Sequence, residues 1–166
     1  YCGLPYTIQN YLADQIRVPA FKTDLPEFEK AEKEVNDTIA RLLSINGKNT
    51  VDSYHRKLGL IMWDYVGMAR NKEGLMKAIG MIQELRDDFW NNVKVPGRNE
   101  QVNPELEKAL RVADFIELGE LMARDALSRE ESCGGHFREE YQTPEGEALR
   151  DDVNYTYVAA WEHKGE

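Results

Sequence analysis

Cysteine is scarce in this chain, and that scarcity is the first constraint on what it can be. Two cysteines in 166 residues, Cys2 and Cys133, are too few for a disulfide framework, and both read as reduced thiols of a cytosolic-type compartment. Long apolar runs are missing as well. Nothing approaches the roughly 20 consecutive apolar residues that a bilayer-crossing helix needs. The opening residues, 1–13, do not read as a signal peptide, because they have no basic flank and are broken by Gly3 and Pro5. Cationic excess is absent too. A net charge of −9 leaves no basic face for phosphate contact, so nucleic acid is not an expected partner. The sequence holds no Ser-His-Asp series, no phosphate loop and no dinucleotide glycine fingerprint. Period-two alternation is almost lacking, which argues against a sheet-based fold.

What is present is helical periodicity. The length suits one domain with a proper core, and the charged and apolar fractions, 31% and 42%, are those of a folded globular chain rather than a disordered one. Residues 1–14 form a short apolar piece around Leu4, Tyr6, Ile8, Tyr11 and Leu12, and 16–24 form a linker marked by Pro19. A first long helix is predicted from about Leu25, with Asp24 as N-cap and Pro26 in its first turn. Phe28, Ala31, Val35, Ile39 and Leu42 lie on one face of it, and Asn46-Gly47 stops it. A second helix from Asn49 or Thr50 carries Val51, Tyr54, Leu58, Ile61, Met62 and Tyr65 and is expected to run close to Arg70-Asn71. Trp63 and Tyr65 read as core plus an edge. A third, capped by Asn71, buries Leu75, Ile79, Ile82, Leu85 and Phe89, and so short a connection predicts antiparallel neighbours.

Pro96-Gly97 marks a loop, and Asn103-Pro104-Glu105 is a strong start for a fourth helix. Its Ala109, Ala113, Ala123 and Ala126 allow a neighbouring helix to approach closely. The fold class is therefore all-α: an antiparallel helical bundle of three long helices plus a further helix and an irregular C-terminal extension. The expected divisions are 1–24, 25–130 for the bundle, and 131–166 for a polar loop and tail. Val153 to Trp161 is aromatic-rich and the one place where a strand is allowed. From Cys133 onward three basic residues, Arg138, Arg150 and Lys164, face eight acidic ones, which reads as a solvated surface.

The chemistry-bearing segment is Ser132-Cys133-Gly134-Gly135-His136-Phe137-Arg138, with Arg150-Asp151-Asp152 downstream. Paired glycines stop a helix, and here they come after one, so the exposed groups are carbonyls. That end attracts a cation or an N–H donor, which makes His136 and Arg138 its natural partners and makes a phosphate cradle the wrong reading. Cys133 and His136 have a Cys-x-x-His spacing. Zinc needs four ligands, and Cys2, His55 and His163 are far along the chain; a thiolate nucleophile would lack an orienting third group. His55 reads as a helix-surface histidine. The residues by themselves leave two readings open: a stand-alone helical interaction module, and a thiol or metal enzyme built on Cys133 and His136.

Arg129-Glu130-Glu131-Ser132-Cys133-Gly134-Gly135-His136-Phe137-Arg138, with Arg150-Asp151-Asp152-Val153-Asn154 behind it, resembles the C-terminal region of succinate dehydrogenase and fumarate reductase flavoprotein subunits. Met62-Trp63-Asp64-Tyr65-Val66-Gly67-Met68-Ala69-Arg70 with Gly74-Leu75 is similar to a second stretch of that family. Cys133 stands where the commoner pattern has arginine, so a role of that arginine does not transfer. The Ser-Cys-Gly-Gly-His form resembles a sub-branch paired with a single cytochrome b anchor.

The resemblance implies a fragment: FAD, the capping domain and the catalytic groups lie upstream, and residues 1–24 continue an FAD domain. It implies an oxidoreductase parent that interconverts succinate and fumarate, sited in the cytoplasm on the inner face of the cell membrane. It further implies contacts to the FAD-binding and capping domains and to an iron–sulfur subunit, and indirectly to the cytochrome b anchor. No catalytic, cofactor-binding or metal residue is expected in this chain itself. Ser132, Cys133, Gly134, Gly135, His136, Arg138, Arg150, Asp151 and Asp152 are the candidate interdomain or subunit contacts, and the loop is expected to stand partly unsatisfied without them.

Overall fold

The computed structural model describes residues 2–162 and residue 164. Six helices and four two-residue strands make up its regular structure among the described residues. The chain divides into two compact units, residues 1–37 and 38–166. The first contains α1 (Gly3–Ala13) and the start of α2 (Pro26–Ile45), and every described residue in it is exposed. Phe28 and Val35 are therefore exposed rather than buried, at 46% and 57% exposure. Periodicity identifies an apolar face but not whether anything lies against it.

In the second unit α2 ends where Asn46-Gly47 predicted, with Asn46 in the left-handed region at φ 43°. Gly47 then crosses the end of α4. Its N–H donates to the Val93 carbonyl at 2.9 Å, and a Cβ at Gly47 would lie 2.0 Å from the Asn92 carbonyl oxygen. Strand β1 (Asn49–Thr50) leads into α3 (Val51–Tyr65), capped by the Thr50 hydroxyl accepting from the Ser53 N–H at 3.3 Å. This helix stops at Tyr65, short of the expected Arg70. The residues up to 70 instead form a turn and β2 (Ala69–Arg70).

Asn71 caps α4 (Lys72–Asn92), accepting from the Gly74 N–H at 2.8 Å. β3 (Val93–Lys94) pairs in parallel with β1, Asn49 opposite Val93. Since β1 opens α3 and β3 closes α4, the two helices run antiparallel. Asn103 caps α5 (Pro104–Ser128) as predicted. The strand allowed at Val153 to Trp161 does not form. That segment holds a one-turn helix, α6 (Asp152–Tyr155), capped by Asp151, and then irregular chain.

The core is the meeting of α3, α4 and α5. Tyr54, Leu58 and Ile61 face Leu75, Ala78, Ile82 and Phe89, with Leu106, Ala109, Val112, Ile116 and Ala123 closing over them. Gly119 on α5 permits this approach, since even a methyl there would sit 3.2 Å from Leu58 and 3.3 Å from Met62. Tyr54 is buried and its hydroxyl donates to Asp88 at 2.8 Å, so its polar tip has a partner at no loss of packing. Trp63 departs from its expected role: it is 83% exposed, on the side of α3 away from the core.

Gly47→Ala tests the crossing. Overpacking against a backbone that has no freedom to move is expected to cost about 1–3 kcal/mol, seen as a lower denaturant midpoint with an unchanged slope. Gly59→Ala, where nothing lies within 4 Å of the added carbon, is expected to be neutral or stabilising.

Candidate functional site

Helix α5 ends at Ser128, and its last carbonyls need partners from outside the helix. Arg138 provides them. Its Nη1 donates to the carbonyls of Ala126 (3.0 Å), Leu127 (3.2 Å) and Arg129 (3.2 Å), and the residue is 1% exposed. A fixed cation at a helix C-terminus is also favoured by the macrodipole. Nε of Arg138 reaches Glu140 at 3.1 Å, and the guanidinium lies 5.3 Å from the Tyr141 ring centroid.

Arg138 is aimed there by the strand that carries it. β4 (Phe137–Arg138) pairs in parallel with β2, Ala69 opposite Phe137 and Arg70 opposite Arg138. The Phe137 N–H donates to the Met68 carbonyl at 3.1 Å and that of Glu139 to the Arg70 carbonyl at 2.9 Å. Ser132 fixes the same strand from its other edge. Its hydroxyl accepts from the Arg138 N–H at 2.8 Å and donates to the Arg138 carbonyl at 3.1 Å, in a fully buried position.

Between them Cys133 and His136 pair backbone to backbone, at 2.8 and 3.1 Å, across Gly134-Gly135. Gly134 has φ +59°, which only glycine takes freely at the first position of so tight a turn. The His136 Nε2 donates to the Arg129 carbonyl at 3.1 Å. Burial lowers the pKa of its imidazole; that bond opposes the shift, and the cations of Arg70, Arg138 and Arg129 reinforce it.

The downstream residues lace onto the same cap. Buried Glu131 pairs with Arg129 at 3.0 Å and accepts from the Asp151 N–H at 3.0 Å. The Ser132 N–H donates to the Leu149 carbonyl at 2.8 Å. Asp151 caps α6, while Arg150 and Asp152 pair with each other at 2.7 Å in solvent. The candidate residues are thus brought together in one cap, but at different depths. Ser132 and Arg138 are buried, Cys133, His136 and Asp151 are half-buried, and Gly134, Gly135, Arg150 and Asp152 are exposed. The expectation of a partly unsatisfied loop does not hold, because its buried members find their acceptors within this chain.

Sequence reasoning missed Arg129 and Glu131 as part of this cluster, and it missed Arg70. A groove of about 470 Å³ opens beside the cap, lined by Arg70, Met122, Asp125, Arg129, Cys133 and His136. Arg70 closes the stretch from Met62 to Arg70, and its place at the end of that stretch was the available signal. Among the described residues no three of His, Cys, Asp and Glu are grouped so as to hold a metal ion, and His136 Nε2 is already committed to a carbonyl. The glycine pair lies beside helix-terminal carbonyls, the reverse of the N–H-lined helix start at which phosphate cradles form.

The fold and the cap define an all-helical module whose polar groups finish its own helix end and present an outer surface. The chain belongs to the family described as the fumarate reductase flavoprotein C-term, which matches residues 55–166. It is 32% identical over 111 residues, 67% of its length, to an uncharacterized FAD-dependent oxidoreductase of Methanocaldococcus jannaschii, of which it covers 20%. It is 29% identical over 154 residues to the fumarate reductase flavoprotein subunit of Helicobacter pylori, covering 93% of this chain and 21% of that one. Among solved structures, an Escherichia coli quinol fumarate reductase superposes with a TM-score of 0.68 at 26% identity, over 81% of this chain and 22% of the other. The Sdh1 complex of Mycobacterium smegmatis gives 0.67 at 27%, over 78% and 21%. The chain therefore spans about a fifth of the length of these relatives.

Two outcomes are expected of the cap. Ser132→Ala removes the partner of a buried N–H and a buried carbonyl together, at a cost of about 1–3 kcal/mol in chemical unfolding. The lowered pKa of His136 means that the unfolded chain binds the proton more tightly. Stability from this group is then full above the ordinary histidine pKa of 6.5 and falls as pH drops below it. His136→Asn is expected to flatten that part of the stability–pH curve, and a proton-NMR titration of His136 to give a midpoint below that of free imidazole.

Proposed function

We propose that this chain is the C-terminal helical domain of an FAD-dependent flavoprotein subunit that interconverts succinate and fumarate within a quinone-linked membrane complex. Its own task is structural: it braces the flavin-bearing part of the polypeptide and supplies contact surface. The observation that carries this reading is the family match over residues 55–166 together with coverage of only about a fifth of each relative. Residues 1–24 then continue the FAD domain, 25–130 form the brace, and 131–166 form the polar cap and tail.

Contacts fall to the groups that the cap leaves outward, Gly134, Gly135, Arg150 and Asp152, with Cys133, His136 and Asp151 at its edge and Ser132 and Arg138 fixing it from within. The partners are the FAD-binding and capping domains and an iron–sulfur subunit, with a cytochrome b anchor reached indirectly. No described helix is long and apolar enough to cross a membrane. The complex itself is placed on the cytoplasmic inner face of the cell membrane. Packing of α3, α4 and α5 favours such a brace, since each Å² of buried apolar surface contributes about 25 cal/mol and a close-packed core transmits load without yielding.

The test compares the full-length protein with the 166 residues alone. The full-length protein is expected to show flavin absorbance and succinate-dependent dye reduction, and the 166-residue chain neither. Flavin bound by the shorter chain, or no succinate-dependent reduction by the longer one, overturns the assignment.

A further inference from the structure

We propose that Arg70 receives a carboxylate side chain from a segment of the same polypeptide outside these 166 residues, seated in the groove beside the end of α5. The inference rests on the reading of the chain as one part of a larger flavoprotein. Arg70 stands at the end of β2, half-buried, and its donors are poorly met. Nη1 reaches the Val66 carbonyl at 3.4 Å and Nη2 the Gly135 carbonyl at 3.5 Å, both at the limit of a hydrogen bond. Nε is buried without any partner.

The neighbouring arginines of the cap are treated differently. Arg138 has three carbonyls and Glu140. Arg129 has Glu131 and the Tyr155 carbonyl, the latter at 2.7 Å. Asp125 lies in the same groove but is engaged elsewhere: its Oδ1 accepts from the Trp161 indole at 2.8 Å, and it makes no ion pair with Arg70. Burial, with Arg138 close by, disfavours the Arg70 cation, and Asp125 only partly offsets this.

A planar guanidinium with free donors matches a carboxylate, which can accept two of its N–H groups side by side. The groove also says which kind of carboxylate. Met122 in its wall continues an exposed apolar row on α5, through Leu118 to Phe115, at 48%, 51% and 43% exposure. These positions recur at steps of three and four, so they share one face. A free carboxylate ion needs no such apolar approach. A polypeptide segment laid along α5, ending with an acidic side chain in the groove, uses both features. Because the chain spans about a fifth of its relatives, the remaining four-fifths of such a polypeptide is the source of that segment.

Hydrogen–deuterium exchange on the full-length protein tests this with Arg70→Met, Arg70→Lys, Arg70→Glu and Asp125→Asn. Arg70→Met is expected to speed exchange about tenfold in one peptide outside residues 1–166 that contains Asp or Glu, as loss of a charge-assisted pair would. Arg70→Lys is expected to give a smaller change in that peptide and Asp125→Asn none. Replacing the acidic residue of that peptide by Arg is expected to restore protection in Arg70→Glu. Should Arg70→Met fail to fold, the lysine variant and the charge swap decide the matter.

The proposal is overturned if the changes stay within this chain, if the responding peptide belongs to another subunit, or if Asp125→Asn reproduces the effect. Protection of residues 66–70 in the unaltered protein by added sodium acetate alone assigns the site to a free carboxylate and overturns it as well. Loss of the exchange response with flavin binding and succinate turnover intact would reject this inference while leaving the proposed function standing.

Discussion

A guanidinium buried against the last carbonyls of α5 is the interaction on which the C-terminal third of this protein depends. Taking that charge out of water is costly unless its donors are matched. Arg138 meets the condition with three carbonyls, a carboxylate and an aromatic face. The helix end in turn has its orphan acceptors filled. Each side needs the other, so the cap is an all-or-none arrangement. Ser132, β4 and the tight turn at Gly134 hold their observed positions because Arg138 must reach back to carbonyls 9 to 12 residues earlier in the chain.

The same logic governs the seam between α4 and α5. Glu120 is 7% exposed, and burial pushes its carboxyl up. Hydrogen bonds from Arg124 at 2.7 Å, from Arg86 and from Gln83 at 3.0 Å overcome that and hold it below the usual carboxylate range. Arg86 also grips Glu117 with two nitrogens, at 2.6 and 2.9 Å. One face of α5 is therefore locked by apolar packing around Gly119 and another by ionic bonds. A helix held on two sides resists rolling about its own axis.

Much of the fold was legible because its signals are local. Asn71 and Asn103 each cap a helix by bonding three residues ahead, so residue type and position suffice to find them. The Asn46 stop and the stripes of α3, α4 and α5 come from periodicity in the same way. The affinity of His136 and Arg138 for a carbonyl end was legible from the order of helix, glycines and polar heads. What was hidden is non-local. The early end of α3 reflects β2 pairing with residues 137 and 138, a partner that no window of sequence contains. Trp63 shows the same limit, for an aromatic residue within a helical stripe carries no mark of whether the facing side is occupied. Arg70 was visible only as the end of a motif, because the poor match of its donors is defined only once the chain has folded.

The two pairs of short strands join parts of the chain that lie far apart in sequence. Helices α3 and α4 are joined by a brief turn, and bringing them together closes a small loop. Seating β4 beside β2 joins residues such as Ala69 and Phe137, far apart along the chain, so it carries a larger loop-closure entropy and yields few contacts until α5 is already in place. The contacts of Arg138 with the last carbonyls of α5 also require that helix end to be beside β4. The cap is thus tied to the three-helix body at two places, the β2 edge and the end of α5, and loosening either one uncovers both the Arg138 guanidinium and the carbonyls it fills.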